Sequence, residues 1–441
     1  MEMDKSKRRE IFGWAMYDFA NSAFATTILA AVLPIYFASL VPDGGVILSL
    51  FGIEILFPAT SLWAYTVSFS LLLVAFSSPI LGAIADYSGS KKKFLAVYCY
   101  LGCIFTTLLY FVESGDYLLA MFLFLVANIG FAGGNVFYNA FLPTIAKEED
   151  INWVSGKGFA FGYLGGGLLL ILNLLLITKH DFFGLSDRVI GTRVGFVTVG
   201  VWWAVMSIPI FVFVRERGGK SLPAGKSYLS MGFQTIMRTL REIRKYKQLT
   251  LFLIAFLIYN DAIQTIVAMS TIFGKVELGL SEGTLIGALL MTQFIALPGS
   301  LVFAKIATRF GAKNSIMLTL FVWSAIVIYA YFIETALEFW VLAGTAGLVL
   351  GGTQAISRSL YASFIPKQNS AEFFGFFAIS NKFASILGPL TFALVGQLFG
   401  SARASISSLI VFLIIGMIVL SRVNPEEGVR QSKIAILPNE E

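Results

Sequence analysis

The chain has 441 residues, of which 57% are hydrophobic and 13% are charged, and its formal net charge is +6. Soluble domains carry about 25% charged and about 45–50% apolar residues, so this composition excludes a water-soluble globule. The sequence contains no Walker-type nucleotide-binding motif, and its two cysteines and one histidine suggest no metal site. We therefore expect no cofactor, no nucleic-acid partner and an energy source other than ATP.

Twelve apolar segments follow along the chain, each long enough to cross a bilayer, which requires roughly 20 residues per helix. Spans 1 to 6 cover 11–39, 62–85, 94–112, 117–142, 157–178 and 194–214, and spans 7 to 12 cover 250–274, 283–304, 314–333, 337–361, 373–398 and 404–421. Backbone polar groups cannot remain unpaired in lipid, so each span is predicted to be helical.

The two halves of the chain repeat the same motifs in the same order. Tyr138-Asn-Ala-Phe141-Leu142-Pro143 returns 223 residues later as Tyr361-Ala-Ser-Phe364-Ile365-Pro366, and Ser155-Gly-Lys157 returns as Ser380-Asn-Lys382. This duplication predicts an all-α membrane protein with twelve transmembrane helices in two pseudo-symmetric six-helix bundles. The predicted division is 1–214 for the N-terminal bundle, 215–249 for a cytoplasmic linker, 250–423 for the C-terminal bundle and 424–441 for a cytoplasmic tail. Such repeats are typical of transporters whose substrate site lies where the repeats meet.

Lysine and arginine residues predict the orientation in the membrane. With a cytoplasmic N-terminus, 25 of the 32 cationic residues lie on the cytoplasmic side, 5 lie on the outer side, and Arg358 and Lys382 lie inside spans. Cytoplasmic loops carry an excess of Lys and Arg, so both termini are predicted to be cytoplasmic. From the length and the compact loops we expect a monomer in the lipids of a bacterial inner (cytoplasmic) membrane.

Two connections between spans are unusual. The linker segment from Tyr228 to Leu249 places Met231, Ile236, Leu240 and Ile243 among Arg238, Arg241, Arg244, Lys245 and Lys247. This pattern predicts an amphipathic helix on the inner leaflet, where anionic headgroups attract cations; a regulatory binding site is the alternative. The outer link at 41–61 is apolar for a loop, so we expect it to pack on the outer membrane face, with no function assigned.

Spans 1, 4, 7 and 10, the first and fourth of each half, carry polar faces at helical spacing. Charged residues inside a bilayer cost about 2.5 kcal/mol or more at central positions, so each is a functional candidate. With Lys382 of span 11, the candidate substrate or proton cavity comprises Tyr17, Asp18, Asn21, Asn128, Asn135, Tyr138, Asn139, Tyr259, Asn260, Asp261, Gln264, Gln354 and Arg358. Because the four spans are equivalent elements of the two halves, we expect their polar faces to line one shared cavity.

These residue types indicate possible roles. Asp18 and Asp261 are candidates for carrying a proton or for binding a substrate ammonium, since a poorly solvated cavity favours the protonated form of a carboxylate. Arg358 and Lys382 are candidates for binding a carboxylate or phosphate, and the tyrosines and amides would add orienting hydrogen bonds. A structural alternative stays open, because Asn and Gln in membranes often bridge helices at about 0.6 kcal/mol per hydrogen bond.

A conformational motif, Gly82-x-x-x-Asp86-x-x-Gly89-x-Lys91, closes the short predicted turn between spans 2 and 3. Asp86 could cap a neighbouring helix N-terminus or pair with a basic group, and movement of the halves would break that contact. A purely structural tight turn is the alternative. The second half has Ala304 and Thr308 at the corresponding positions, so a symmetric pair of such contacts is not expected.

Four longer motifs carry a resemblance to a known family. Trp14-x-x-Tyr17-Asp18-x-Ala20-Asn21-Ser22-x-Phe24 lies in span 1, and Val154-Ser-Gly-Lys-Gly-Phe-Ala-Phe-Gly-Tyr-Leu-Gly-Gly-Gly167 opens span 5. Gly351-Gly352-x-Gln354-Ala355-x-Ser357-Arg358-Ser359 lies in span 10, and Glu372-Phe373-Phe374-Gly375 with Lys382 and Leu387-Gly388-Pro389 marks span 11. With the loop motif, the chain resembles the major facilitator superfamily, and within it the vacuolar-effluxer-type, autophagy-permease-related family. The resemblance implies the major facilitator fold, alternating access and, in the vacuolar relatives, export of small solutes such as amino acids.

The sequence therefore predicts a secondary-active transporter of a small polar or zwitterionic, amino acid-like solute, with proton coupling as a hypothesis. Both signs of charge around one cavity suit a zwitterion better than a sugar. The alternative is a lipid or lipid-precursor flippase, which would need a lateral opening and a wide apolar half of the cavity. A receptor is disfavoured because no loop or terminus is large enough for a signalling domain, and an enzyme because no nucleophile–base pair appears.

Overall fold

The structure, a computed structural model, describes residues 5–42, 45–50, 53–216, 227–242, 246–383, 387–399 and 401–434. The helices are α1 (Lys5–Ala23), α2 (Leu33–Leu40), α3 (Ala59–Ser88), α4 (Lys91–Leu108), α5 (Tyr117–Ala140), α6 (Leu142–Ile145), α7 (Ile151–Thr178), α8 (Arg188–Met206), α9 (Ile208–Phe213), α10 (Tyr228–Glu242), α11 (Lys247–Val276), α12 (Glu282–Phe310), α13 (Ala312–Ala330), α14 (Ala336–Phe364), α15 (Ser370–Phe383), α16 (Leu387–Phe399), α17 (Ala402–Ser408), α18 (Ile410–Ser421) and α19 (Pro425–Ile434). A π-helix (Phe24–Ala31) follows α1, strands β1 (Val46–Leu50) and β2 (Ile53–Phe57) precede α3, and 3₁₀ turns lie at Leu109–Phe111, His180–Phe183 and Lys367–Asn369.

Within the described residues, ten helical segments are long and apolar enough to cross a membrane, and an eleventh is added if the bent pair Lys5–Ala31 and Leu33–Leu40 counts as one span. The predicted all-α membrane fold is thus confirmed, with one bent span. Span 1 bends by 42° before α2, where Pro34 lacks the N–H that would continue the helical hydrogen bonds. Of the predicted span 11 (373–398), the structure describes α15, which begins before the span at Ser370, and the shorter apolar helix α16; residues 384–386 lie outside the described part.

Both unusual connections contain secondary structure that the sequence indicated only in part. The outer link, predicted as a loop, contains an antiparallel hairpin in which Val46 pairs with Phe57 and Leu50 with Ile53. The packing of this link on the outer membrane face stays a prediction. The segment predicted as the linker helix contains α10, and Leu249 lies in α11. Residues 243–245, with Ile243, Arg244 and Lys245, lie outside the described part, and the position of α10 on the inner leaflet stays a prediction.

The chain forms two compact units. Unit 1 comprises Met1–Ser78, Gly89–Asn139 and Leu164–Gly218, and unit 2 comprises Pro79–Ser88, Ala140–Tyr163 and Gly219–Glu441. Unit 2 therefore contains the end of α3 and the beginning of α7 together with the second half of the chain. The boundary inside α3 falls at Pro79, whose missing N–H removes one helical hydrogen bond. The predicted division at 214 and 250 stays a prediction.

In each unit, the first long helix is packed among its neighbours. In unit 1, α1 packs against α8 and α9, and in unit 2, α11 packs along α18 while α12 packs along α14. Trp14 and Tyr17 of α1 and Tyr259 of α11 are fully buried as a result. These contacts position Asp18 and Asp261, which lie on the same two helices.

Candidate functional site

The carboxylate of Asp18 lies among aromatic side chains of α1 and α5 in unit 1. The Tyr138 hydroxyl donates a hydrogen bond of 3.0 Å to Asp18 Oδ2, and Trp14 Nε1–H donates one of 2.9 Å to the Tyr138 backbone carbonyl. The Trp14 and Tyr17 rings stack on the Tyr138 ring, with centroid distances of 4.6 and 5.1 Å. Asp18 is only 8% exposed. The structure therefore brings together three predicted site residues, Tyr17, Asp18 and Tyr138, in one buried cluster.

The predicted amides of unit 1 serve two separate helix contacts. Asn21 Nδ2 donates to Asn135 Oδ1 over 2.7 Å and joins α1 to α5 near Asp18. Asn128 Nδ2 donates to the buried Ser70 hydroxyl over 2.7 Å and joins α5 to α3. Asn139, one turn beyond Asn135 on α5, is half-buried. The structural alternative, in which amides bridge helices, therefore describes Asn21, Asn128 and Asn135 in this structure.

Asp261 of α11 lies at the N-terminal end of α16 in unit 2. Its Oδ2 accepts a hydrogen bond of 2.8 Å from the Gly388 N–H, and its Oδ1 has no hydrogen-bond partner among the described residues. Asp261 is 1% exposed. The hydrogen bond from Gly388 therefore joins α16 to α11. Lys382 lies in α15, but its side chain is outside the described part of the chain.

Three further predicted residues of α11 contact the neighbouring helices of unit 2. The Tyr259 and Ser357 hydroxyls lie 2.7 Å apart and share a hydrogen bond, which joins α11 to α14. Asn260 Nδ2 donates to Asn381 Oδ1 of α15 over 2.8 Å, and Gln264 Nε2 reaches Asn260 Oδ1 over 3.4 Å. The polar face predicted for span 7 is therefore a helix-bridging network on both sides of Asp261.

Arg358 of α14 is bound by the beginning of α7. Its Nε donates to the Ser155 hydroxyl over 3.0 Å and its NH2 group to the Ser155 backbone carbonyl over 2.8 Å, while the Phe159 ring centroid lies 4.0 Å from the guanidinium carbon. Arg358 is 4% exposed. One helical turn earlier, Gln354 Oε1 accepts from the Tyr163 hydroxyl of α7 over 2.6 Å. Both predicted ligands of span 10 thus contact α7 in this structure.

The motif between spans 2 and 3 forms the contact expected of a helix cap. Asp86 Oδ2 accepts a hydrogen bond of 2.9 Å from the Glu372 backbone N–H in the first turn of α15. Gly82 lies so close to the Ala371 backbone that a Cβ there would overlap the Ala371 carbonyl oxygen. We call these four residues the α3–α15 contact. Gly89 follows with φ of 62°, a left-handed conformation that favours glycine.

Lys91 begins α4 in unit 1, and Glu216 covers the same helix end. The Lys92 backbone N–H donates to Glu216 Oε1 over 3.2 Å, so a carboxylate satisfies a backbone N–H that the first turn of α4 would leave without a partner. Burial raises the pKa of the Glu216 carboxyl, and hydrogen bonds from the Lys91 and Lys92 backbone N–H groups lower it. The basic end of the motif is therefore part of a second helix cap.

Sequence reasoning did not single out several polar residues that complete these contacts, among them Ser155, Tyr163, Asn381 and Glu372. All four lie in motifs that were noted, so the available signal was a polar residue inside a glycine-rich or aromatic motif. Among the described residues, no group of three or more His, Cys, Asp or Glu side chains could hold a metal ion. The polar clusters therefore consist of carboxylates, amides, hydroxyls and one guanidinium.

Comparisons with known proteins agree with this architecture. The profile of the family described as "Vacuole effluxer Atg22 like" matches residues 6–433. The "Uncharacterized MFS-type transporter YxiO" of Bacillus subtilis is 36% identical over 416 residues, 94% of each chain, and "Autophagy-related protein 22" of Kluyveromyces lactis is 23% identical over 479 residues, 97% of this chain and 95% of that one.

Solved transporter structures share the fold. The major facilitator transporter FucP in its outward conformation matches with a TM-score of 0.68 at 13% identity, and the human organic anion transporter MFSD10 with 0.70 at 12% identity. Each match covers 95% of this chain and 100% of the other. The protein is therefore an integral membrane transporter and not an enzyme. Its chain belongs to the Atg22-like vacuole effluxer family of the major facilitator superfamily.

Proposed function

We propose that this transporter moves a small polar or zwitterionic solute of the amino-acid class by alternating access, coupled to protons. The observation that carries the proposal is a pair of buried carboxylates, Asp18 in unit 1 and Asp261 in unit 2, on spans 1 and 7. Burying an ionised carboxylate is costly. Each site therefore gains free energy from binding a cation, either a proton or a substrate ammonium.

The surroundings of Asp18 support a role in binding a proton or an ammonium group. The Tyr138 hydroxyl orients one carboxylate oxygen, and the rings of Trp14 and Tyr17 stack on the Tyr138 ring. Aromatic faces attract cations by about 0.5 to 2 kcal/mol, depending on desolvation. A carboxylate beside aromatic rings is thus suited to a small organic cation as well as to a proton.

Arg358 supports the part of the proposal that concerns the substrate carboxylate. A guanidinium can donate paired hydrogen bonds to a carboxylate, and here both of its named donors are taken up by Ser155. Substrate binding through Nε and NH2 of Arg358 would replace Ser155 as the acceptor. This exchange would link substrate binding to release of the contact between α14 and α7.

The proposal is tested by uptake of a labelled amino-acid mixture into proteoliposomes, with and without an imposed pH gradient. We expect gradient-driven accumulation that Asp18→Asn abolishes and that Asp187→Asn, at the exposed cap of α8, leaves intact. If Asp18→Asn and Asp261→Asn both keep full accumulation, proton coupling at these carboxylates is excluded. No uptake by folded and correctly inserted protein would favour the alternative, a lipid or lipid-precursor substrate, which a fluorescent-lipid flipping assay on the same vesicles would detect.

We further propose a bacterial inner membrane with both termini in the cytoplasm. The distribution of Lys and Arg supports the orientation, and a Bacillus subtilis relative supports the membrane. Reporter fusions at the C-terminus and in the segment 179–187 should show opposite sides of the membrane. The same side for both fusions would exclude the proposed topology.

A further inference from the structure

Glu372 is a buried carboxyl group that the proposed transport cycle does not use. It is the third residue of α15, just before the predicted span 373–398, and it is 0% exposed. Its Oε2 accepts a hydrogen bond of 3.1 Å from Asn369 Nδ2, and the Thr239 hydroxyl of the linker helix α10 donates to the same carboxyl group. Its Oε1 has no hydrogen-bond partner among the described residues.

Among the described residues, a second carboxylate acts on Glu372. Asp86 of α3 accepts the Glu372 backbone N–H and acts electrostatically on its side chain. From α14, Tyr361 also interacts electrostatically with Glu372, and its hydroxyl donates to the Phe373 backbone carbonyl. Among the described residues, no lysine or arginine forms an ion pair with Glu372. The side chains of Arg238 and Glu242 in α10 are not among the described residues.

These surroundings favour the neutral form of Glu372. Burial raises the pKa of the Glu372 carboxyl to about 7, and the Asp86 carboxylate acts in the same direction, against the hydrogen bonds from Thr239 and Asn369. In water the pKa of this carboxyl would return to its ordinary value of 4.5. The buried arrangement therefore binds the proton more tightly than an arrangement in which Glu372 is hydrated.

We propose that Glu372 is a proton-binding site that controls the α3–α15 contact and its attachment to the linker helix α10. With the proton bound, a neutral carboxyl group lies beside Asp86, and the hydrogen bond from the Glu372 N–H to Asp86 is retained. When the proton leaves to water, the buried Glu372 becomes a carboxylate beside the half-buried Asp86 carboxylate, and the contact is weakened. The ligand is a proton alone, so the inference does not depend on which solute the protein carries.

The direction of the pH dependence follows from the two protonation states. The stabilisation of the contact is fully present below about pH 4.5, decreases as the pH rises and is lost above about pH 7. Within this window, the population ratio of closed to open contact changes by up to about tenfold per pH unit. The α3–α15 contact should therefore open in mildly alkaline solution and close in acid.

The test is hydrogen exchange of backbone amides in the first turn of α15, measured by mass spectrometry on the full chain in lipid nanodiscs across this pH range. Exchange rates are divided by the intrinsic chemical rates, since these also depend on pH. We expect the wild-type protection factor to fall by up to about tenfold per pH unit. In Glu372→Gln, which mimics the protonated form, protection should be high and independent of pH.

A matched control is available at the same position of another helix. Glu338 is the third residue of α14, but it is partly exposed and accepts hydrogen bonds from Thr335. Glu338→Gln should keep the wild-type pH dependence of protection in α15. If Glu372→Gln also keeps that dependence, the proposal is overturned.

A second measurement keeps the proposal testable if Glu372→Gln fails to fold. The Asn369→Ala variant removes an N–H donor that favours the ionised Glu372 carboxylate. The pH midpoint for the loss of amide protection in α15 should therefore be higher in this variant than in the wild type. An unchanged midpoint would overturn the proposal. Infrared difference spectra of the folded wild-type protein should also show the C=O stretch of a protonated carboxyl group, and this band should titrate with the same pH midpoint as the loss of protection. Absence of the band would also overturn the proposal.

Discussion

The ends of α3 and α12 are corresponding regions of the two predicted halves, and within unit 2 each packs closely on another helix. At the end of α3, a Cβ on Gly82 would overlap the backbone of Ala371 in α15. At the end of α12 the glycine is on the other helix, since a Cβ on Gly156 of α7 would lie 2.5 Å from the Ala304 Cβ. Close approach is thus kept in both regions, with the glycine on opposite sides of the contact.

The polar parts of the two regions differ more than the packing. Asp86 joins α3 to α15 through the Glu372 N–H, whereas the Thr308 hydroxyl donates to Ala304 of its own helix over 3.0 Å. Lys313 after α12 donates to the carbonyls of Ser421 and Val423, over 2.6 and 2.7 Å, at the end of α18. The duplicated sequence has therefore kept the steric contact in both regions, and of the two only the end of α3 carries a carboxylate at this position.

The largest losses of stability should come from substituting Gly82 or Gly156, and a second substitution distinguishes the two sites. Gly82→Ala and Gly156→Ala should each lower the free energy of unfolding by about 1–3 kcal/mol through overpacking, measured from thermal unfolding of the purified protein. Adding Ala304→Gly should partly rescue Gly156→Ala, because it removes the overlapping Cβ. Ala371→Gly should not rescue Gly82→Ala, where the overlap is with backbone atoms.

The exposed Gly283 near the start of α12 provides the control for those glycine variants. A Cβ there would meet only the Ser281 hydroxyl, at 3.9 Å, so Gly283→Ala should leave stability unchanged within about 0.5 kcal/mol or raise it slightly. Equal rescue of both glycine variants would contradict the difference between a side-chain overlap and a backbone overlap.

A smaller effect should distinguish Asp86 from Thr308. Asp86→Asn keeps the shape but removes the charge that stabilises the first turn of α15, which should cost about 1–2 kcal/mol in acidic buffer. Thr308→Val should cost less than about 0.5 kcal/mol, because an exposed hydroxyl that bonds to its own helix adds little. Amide exchange in the first turn of α15 measures the first effect. Similar losses of stability in Asp86→Asn and Thr308→Val would contradict the inferred difference between the ends of α3 and α12.

The smallest effect should come from Lys313. Lys313→Met keeps the aliphatic part of the side chain but leaves the final carbonyls of α18 to water, at a cost of about 1 kcal/mol or less, since the group is partly exposed. Lys313→Arg should retain most of the stability. Faster amide exchange at the end of α18 in Lys313→Met, with no change in α15, would show that the Lys313 contact is independent of the α3–α15 contact.

The fold was largely predictable because lipid requires long apolar helices, and their polar faces follow from helical spacing. That spacing placed Asp18 and Asn21 on one face of span 1, and the structure places both against α5. The bend after Ala31 could also have been predicted from Pro34. The two-stranded hairpin could not, since apolar residues in a short link do not distinguish a strand from a loop.

The contacts of the candidate sites were less predictable because they join residues far apart in the sequence. Asp261 was selected as a charge inside a span, but its hydrogen bond to α16 depends on Gly388, 127 residues later. Glu372 was quoted only within a motif, because nothing near it in the sequence indicates that Asp86 and Thr239 surround it. Helical periodicity predicts which face a side chain occupies, but not which atom of another helix it meets.

The hairpin between α2 and α3 has a consequence for the depth of the chain in the bilayer. In the described part, the sheet has only the two strands β1 and β2, so each strand has one edge whose N–H and C=O groups lack a strand partner. Unpaired backbone groups cannot lie in hydrocarbon, whereas the paired apolar residues Ile47 and Leu56 are 63% and 55% exposed. An apolar surface with polar edges fits the headgroup layer, so we expect the hairpin to mark the level at which the chain leaves the acyl region.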